Sequence, residues 1–293
     1  MFIPQIIYIE TTNRCNARCI MCPHIKMQRK KGMMAQQVFE KIIHSIKEIN
    51  LDKIHLFLHK EGEPLLDSNI IERIKYTKTH LKGLKELAIN TNAMLLTEDK
   101  SNGLLNSGLD TIYFSVDGAS AEVYNKIRVK LNYDVVEANL KKFFELRLQH
   151  GNRIRVIMQM LTNKDNFHEV DMFKKKWQHE NCEFYIKQMH CYLDGTSSSF
   201  PQNKNKKQLH VCEDPFRVVV IYINGDIGIC CWDYDNAYKI GNINDDSLIR
   251  LYNNEKFTYL REMQLKKDCG HIIPCNRCMR IYGNDVITRF DRD

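Results

Sequence analysis

The sequence predicts an α/β fold: six strands alternating with helices, followed by a smaller α+β region built on a β-hairpin. Three observations predict it. Short apolar runs alternate with amphipathic helical stretches over roughly residues 5–190, and no run carries Pro or Gly in its interior. Alternation of this kind calls for parallel pairing with right-handed crossovers. From residue 212 on, two apolar runs flank Asn224-Gly225-Asp226, and Asn-Gly is a strong hairpin turn. The chain has 293 residues, 43% of them hydrophobic, enough for one large core and a smaller module.

The elements follow in order. Ile6-Ile-Tyr-Ile9 reads as a buried strand, and a cysteine-rich loop leaves it. Met34 to Asn50 places Val38, Ile42, Ile43, Ile46 and Ile49 at helical spacing. Lys53 to Leu58 is the second strand, ending at Glu61-Gly-Glu-Pro64, and Asn69 to Leu81 the second helix. A strand from Glu86 to Asn92 and a short helix from Glu98 to Asn106 come next. Thr111 to Asp117 is a strand closed by Gly118; helices follow over Ala121–Ile127 and Val135–His150. Arg153 to Leu161, Phe167 to His179 and Cys182 to Lys187 complete the series as strand, helix and strand. Residues 191–211 are polar and read as a linker or lid. Beyond them come a hairpin over Arg217–Ile223 and Ile227–Cys231, and one amphipathic helix from Ser247 to Met263 with Ser247 as N-cap. The expected organisation is 1–190, 191–211 and 212–293.

Composition excludes several classes. The first residues lack a basic start followed by a long apolar run, so no signal peptide is expected. No apolar run approaches a membrane span. Eleven cysteines in such a chain argue for metal or catalysis, in a cytoplasmic setting, rather than for a disulfide scaffold. The net charge of +7 is spread over lysine-rich helices such as Lys174–Lys176, with no stripe for nucleic acid.

Cys15, Cys19 and Cys22 stand in the pattern C-x3-C-x2-C just after the first strand. Three thiolates can hold three corners of a [4Fe–4S] cube and leave one iron open for chemistry. Zinc usually takes four ligands, and a local fourth exists only if His24 serves. The C-terminal region carries Cys212, Cys230, Cys231, Cys269 and the pair Cys275-x2-Cys278, and a pair of that spacing also suits zinc.

The cysteine loop at the end of a first strand resembles the radical SAM superfamily. That resemblance implies an open, partial (β/α)6 barrel, S-adenosylmethionine (SAM) chelated to the open iron, and reductive cleavage to a 5'-deoxyadenosyl radical. It also implies an external electron donor such as flavodoxin or ferredoxin. Gly62-Glu63-Pro64 resembles the family's Gly-Gly-Glu motif for the SAM amino group, with Glu61 in place of the first glycine. Asn92, Ser115 and Asp117 at strand ends match positions that contact the SAM ribose and carboxylate. Arg128 and Gln159 match further positions of the family. Asn, Asp and Ser also favour strand ends as local turn formers.

The second region resembles the shortened SPASM, or twitch, domain, which implies an auxiliary [4Fe–4S] cluster on Cys212, Cys230, Cys275 and Cys278. Its spacing is similar to that of 2-deoxy-scyllo-inosamine dehydrogenase-like enzymes. Adjacent side chains on a strand point to opposite faces, so only one of Cys230 and Cys231 is expected to be a ligand. Cys231 is then a buried residue or a hydrogen donor, with Cys191 and Cys269 as lesser candidates. The expected reaction is hydrogen abstraction from a small polar substrate of carbohydrate or aminocyclitol type, giving oxidation or epimerisation. The first strand starts within the first ten residues, without a preceding peptide-recognition module, so maturation of a ribosomal peptide is the second reading and a metal-bearing binding protein the third.

Overall fold

The first strand, β1 (Ile6–Ile9), is buried along its whole length and pairs on both sides. In the computed structural model, which describes residues 1–188 and 208–282, chain order then runs α1 (Gln36–Lys47), β2 (His55–Phe57), α2 (Ile70–His80), β3 (Glu86–Thr91), α3 (Glu98–Leu105), β4 (Thr111–Ser115), α4 (Ala121–Ile127) and α5 (Tyr133–Gln149). It continues through β5 (Arg155–Thr162), α6 (Val170–Trp177) and β6 (Glu183–Gln188) to α7 (Asp214–Arg217), β7 (Val218–Ile221), β8 (Asp226–Gly228) and β9 (Gly241–Asn242). The last helices are α8 (Leu248–Tyr252), α9 (Glu255–Lys266) and α10 (Met279–Tyr282).

Strands β1 to β6 pair in parallel, each with the next, forming the partial barrel of an α/β fold. Alternation along the strands sorts the core into two sides. Ile7, Ile9, Leu56, Ile89, Phe114 and Met158 pack against the helices. Ile6, Tyr8, Phe57, Ala88, Tyr113 and Ile157 form a second, inner cluster. Tyr8 and Phe57 stack there with ring centroids 5.0 Å apart.

The hairpin differs from its sequence reading in placement. It continues the barrel sheet: β7 pairs in parallel with β1 from Ile6↔Val218 to Ile9↔Ile221, and β8 and β9 extend the same sheet antiparallel. Its inner-facing Val218, Val220 and Tyr222 join the inner cluster. Gly225 makes the turn at φ +84°, a conformation few side chains adopt. The strands are also shorter than predicted. Asp214-Pro215 starts a helical turn that takes in Arg217, and Ile229–Cys231 lie past the end of β8.

Two helices also depart from expectation. The single helix read over Ser247–Met263 is two, because the Asn254 side chain accepts a hydrogen bond from the Phe257 N–H (3.1 Å) and caps a new start. Ser247 holds the N-cap position of α8 without a side-chain cap bond; the Leu248 N–H goes instead to Ser45 Oγ (2.7 Å). The helix read from Phe167 opens as a 3-10 turn over Phe167–Glu169 and becomes α-helical at Val170. No helix among the described residues is long and apolar enough to cross a membrane. The 191–207 part of the linker or lid reading, with Cys191, lies outside the described residues.

Candidate active site

The cysteine loop is closed by one buried asparagine. Asn13 is fully buried; its Oδ1 accepts the Gly32 N–H (2.7 Å), its Nδ2 donates to the Lys30 carbonyl (3.1 Å) and its own carbonyl faces His24 Nε2 at 2.8 Å. That contact engages His24 Nε2 with the backbone. The loop is also stitched to the end of α4, because Arg18 N–H donates to Val129 O (2.8 Å) and Ile20 N–H to Ile127 O (3.0 Å). Those two bonds flank Arg128. Its guanidinium reaches Cys19 Sγ at 3.7 Å.

Arg128 is held by Asp117. Both Nε and Nη2 lie 2.7 Å from Asp117 Oδ2, while Oδ1 accepts the Leu161 N–H (2.8 Å). Burial opposes the charge on Arg128, but Asp117 together with Cys19 and Tyr124 more than offsets that and raises its pKa. Asp117 has no exposed surface and both oxygens engaged, so it braces Arg128 rather than facing the site's opening. Burial pushes the Cys15 thiol up to about 11 and the Cys22 thiol up to about 12. Deprotonated thiols therefore require a cationic partner in this loop, and an iron–sulfur core supplies one.

The Glu61-Gly-Glu-Pro64 turn is pressed against the same loop. A side chain at Gly62 would place its first carbon 2.2 Å from Thr12 O and 2.8 Å from Arg14 O, so only glycine fits. Glu63 N–H donates to Arg14 O (2.8 Å). The Glu63 carboxylate accepts from Leu65 N–H (3.0 Å), Thr91 Oγ1 (2.6 Å) and Asn92 N–H (2.8 Å), tying the end of β2 to the end of β3. Burial raises its pKa and these three donors act against that. Asn92 Nδ2 donates to Asn16 Oδ1 (2.9 Å), and Ser115 Oγ to Asn90 Oδ1 (2.7 Å). Gln159, half-buried on β5, stands in register with Ser115. The structure thus gathers Gly62, Glu63, Asn92, Asp117 and Arg128 around Cys15, Cys19 and Cys22, with Ser115 and Gln159 on neighbouring strands.

The C-terminal thiols surround a cavity. Cys212, Cys230, Cys275 and Cys278 line about 380 Å³ of space, partly open to solvent, together with Asp214, Gln264 and Arg280. Four thiols around one cavity suit the four irons of a cube. Burial pushes the Cys278 thiol up to about 11 and raises those of Cys212 and Cys230 further, so they too need a cation to stay deprotonated. Asp214 pairs with Arg280 at 2.8 Å beside them. Cys269 is fully buried in the helix-side core. Cys182 packs at the helix side of the sheet.

Cys230 and Cys231 lie past the end of β8 and pack in different places. Cys230 lines the cavity, whereas Cys231 packs on the inner cluster that carries Tyr8, Tyr113 and Tyr222. A buried charge network that sequence reasoning missed joins the end of β1, the Glu61 turn and the hairpin. Arg29 makes two 2.7 Å bonds to the Glu10 carboxylate and stacks 4.3 Å above the Tyr222 ring. Lys60 pairs with Glu61 and donates to Cys231 O at 2.9 Å. The one signal available was Glu61 itself, the residue that departs from the glycine pattern.

The profile of the Radical SAM superfamily matches residues 9–175, and that of an iron–sulfur cluster-binding domain matches residues 212–279. The probable GTP 3',8-cyclase of Methanothermobacter thermautotrophicus is 29% identical over 167 residues, 57% of this chain and 52% of that protein. The chain spans about half the length of such cyclases. The tungsten-containing aldehyde ferredoxin oxidoreductase cofactor-modifying protein of Pyrococcus furiosus is 22% identical over 88% of this chain and 83% of its own length. Among solved structures, BtrN in complex with AdoMet and 2-DOIA superposes with a TM-score of 0.66 at 18% identity, covering 99% of this chain and 96% of BtrN. Native anSMEcpe with bound AdoMet gives 0.65 at 16% identity, covering 94% of this chain and 87% of its own.

Proposed function

Because the chain belongs to the radical SAM superfamily, we propose that it abstracts a hydrogen atom from a small polar substrate of carbohydrate or aminocyclitol type, completing a dehydrogenation or an epimerisation. The protein works with SAM, a SAM-binding [4Fe–4S] cluster and an auxiliary cluster. When bound, these supply a 5'-deoxyadenosyl radical and an electron acceptor.

In this reading Cys15, Cys19 and Cys22 hold the SAM-binding cluster. The backbone at Gly62, with Asn92, Ser115, Arg128 and Gln159, orients SAM. Glu63 and Asp117 act behind them, fixing the β3 end and the Arg128 guanidinium through their engaged oxygens. Cys212, Cys230, Cys275 and Cys278 hold the auxiliary cluster. The substrate occupies the barrel mouth, over the aromatic inner cluster, where the target C–H can be held in place.

One observation carries the proposal. Cys230 and Cys231 are neighbours in the chain, yet one lines the four-thiol cavity and the other packs on the barrel's inner cluster. A site bearing four thiols therefore adjoins the place where a substrate radical would form, which supports oxidation with the electron leaving toward that site. The same geometry supports Cys231 as a hydrogen donor for epimerisation. The fold match with BtrN, bound to 2-DOIA, extends over nearly the whole of both chains and favours the aminocyclitol class. A peptide substrate is the second reading, favoured by the similar match to anSMEcpe with bound Cp18Cys peptide, TM-score 0.64. A cytoplasmic flavodoxin or ferredoxin is the proposed electron donor.

The test is turnover of an aminocyclitol panel under anaerobic, reducing conditions in D2O. A product two mass units lighter reports oxidation, and deuterium in an otherwise unchanged molecule reports epimerisation. Formation of 5'-deoxyadenosine with no aminocyclitol or sugar consumed, and conversion of a peptide instead, would reject the proposed substrate class.

A further inference from the structure

Helix α9 brings one glutamine to the edge of the four-cysteine cavity, and none of the roles above uses it. Gln264 is fully buried. Its Oε1 accepts the backbone N–H of Cys212 (3.0 Å) and the side-chain N–H of Gln208 (3.0 Å). Its Nε2 faces Cys275 Sγ at 3.6 Å. Chemistry fixes this orientation. The Cys212 N–H can only donate, so the atom opposite it is oxygen and nitrogen is left facing the sulfur. Gln208 is fixed in the same way. Its Oε1 accepts the Cys269 N–H (3.1 Å), and its Nε2 donates to His210 O (2.7 Å) and to Gln264. The two amides form one directed chain from Cys269 to Cys275, and reversing either would set donor against donor.

A buried amide costs desolvation that an aliphatic residue would avoid. Holding the Cys212 loop accounts for the oxygen end of Gln264 and leaves the nitrogen end unexplained. An N–H directed at a ligand sulfur withdraws negative charge from it and stabilises the reduced, more negative state of a cluster. We propose that Gln264 is a positioning residue for the auxiliary cluster, and that its N–H···S bond to Cys275 raises that cluster's reduction potential and makes it a better acceptor for the electron released by the substrate. This rests on the reading above in one respect, that Cys275 ligates the auxiliary cluster.

The test uses full-length chain in which Cys15, Cys19 and Cys22 are replaced by alanine, so that only the auxiliary cluster remains. The midpoint potential is read by EPR-monitored titration beside an iron count. Gln264→Leu removes the donor without adding charge and is expected to keep its iron at a lower potential. Gln264→Glu keeps the acceptor for Cys212 and Gln208 while losing the donor, and is expected to lie lower still. An unchanged potential in an iron-replete Gln264→Leu protein would overturn the proposal. Should the variants lose iron, the protein with native Gln264 decides: pulsed EPR in D2O should show an exchangeable deuteron coupled to the cluster, and no such coupling contradicts the bond. An iron-free triple variant would instead remove the four-cysteine ligation itself, and this inference with it.

Discussion

The two thiol sites differ in how the chain builds them. Cys15, Cys19 and Cys22 share one short loop, and the fourth side of that loop is given to the Gly62 backbone and to Arg128. Cys212, Cys230, Cys275 and Cys278 come from three segments distant in sequence and line one partly open cavity. An open coordination position suits substrate or cofactor binding, whereas a site closed by protein ligands suits electron transfer. The difference also predicts how each site fails. The loop loses chemistry when a thiol is lost, and the cavity loses the fate of the radical.

The largest expected effect breaks the open side. Replacing Cys15, Cys19 and Cys22 together with alanine should abolish 5'-deoxyadenosine formation while leaving about four of about eight irons per chain, as chromatography and iron analysis will report. Breaking the closed side separates the two jobs. A Cys212→Ala, Cys275→Ala protein is expected to keep cleaving SAM with about four irons and to give no oxidised product. Coupled turnover in that protein would sink the division of labour.

Smaller changes sharpen the comparison at the open site. Gly62→Ala drives a methyl into Thr12 O and Arg14 O, and overpacking of this kind costs about 1–3 kcal/mol. A lower melting temperature together with weaker SAM binding is expected, since the turn braces the loop. Smaller still, Arg128→Lys keeps the charge but loses the forked contact to Asp117 and Cys19. About tenfold weaker SAM affinity, roughly the worth of one hydrogen bond to a charged group, at nearly unchanged iron content, is the outcome that calorimetry should record.

The same contrast explains what could be read in the sequence. The six alternating strands and the N-terminal cysteine loop are local patterns, and they were legible because residue spacing alone defines them. Glu63 and Asp117 stand where polar strand-end residues contact SAM in the family, but what each carboxylate accepts depends on strands and loops packed from elsewhere, such as the Leu161 N–H. The split of the α8–α9 region turned on one Asn254 side chain competing with the helix backbone. The pairing of β7 with β1, which fuses the hairpin to the barrel, leaves no mark in either strand beyond a buried apolar run. Gln264 was invisible for a similar reason: it falls one residue past the helix read from Ser247 to Met263, and only packing shows it buried against Cys275.

The central claim is that one site takes SAM and the other does not. EPR spectra of the reduced protein, recorded with and without SAM, test it directly. The account predicts two cluster signals, of which SAM shifts one; that signal is absent from the Cys15, Cys19, Cys22 triple-alanine protein, whose remaining signal ignores SAM. A remaining signal that shifts when SAM is added to the triple variant would contradict it.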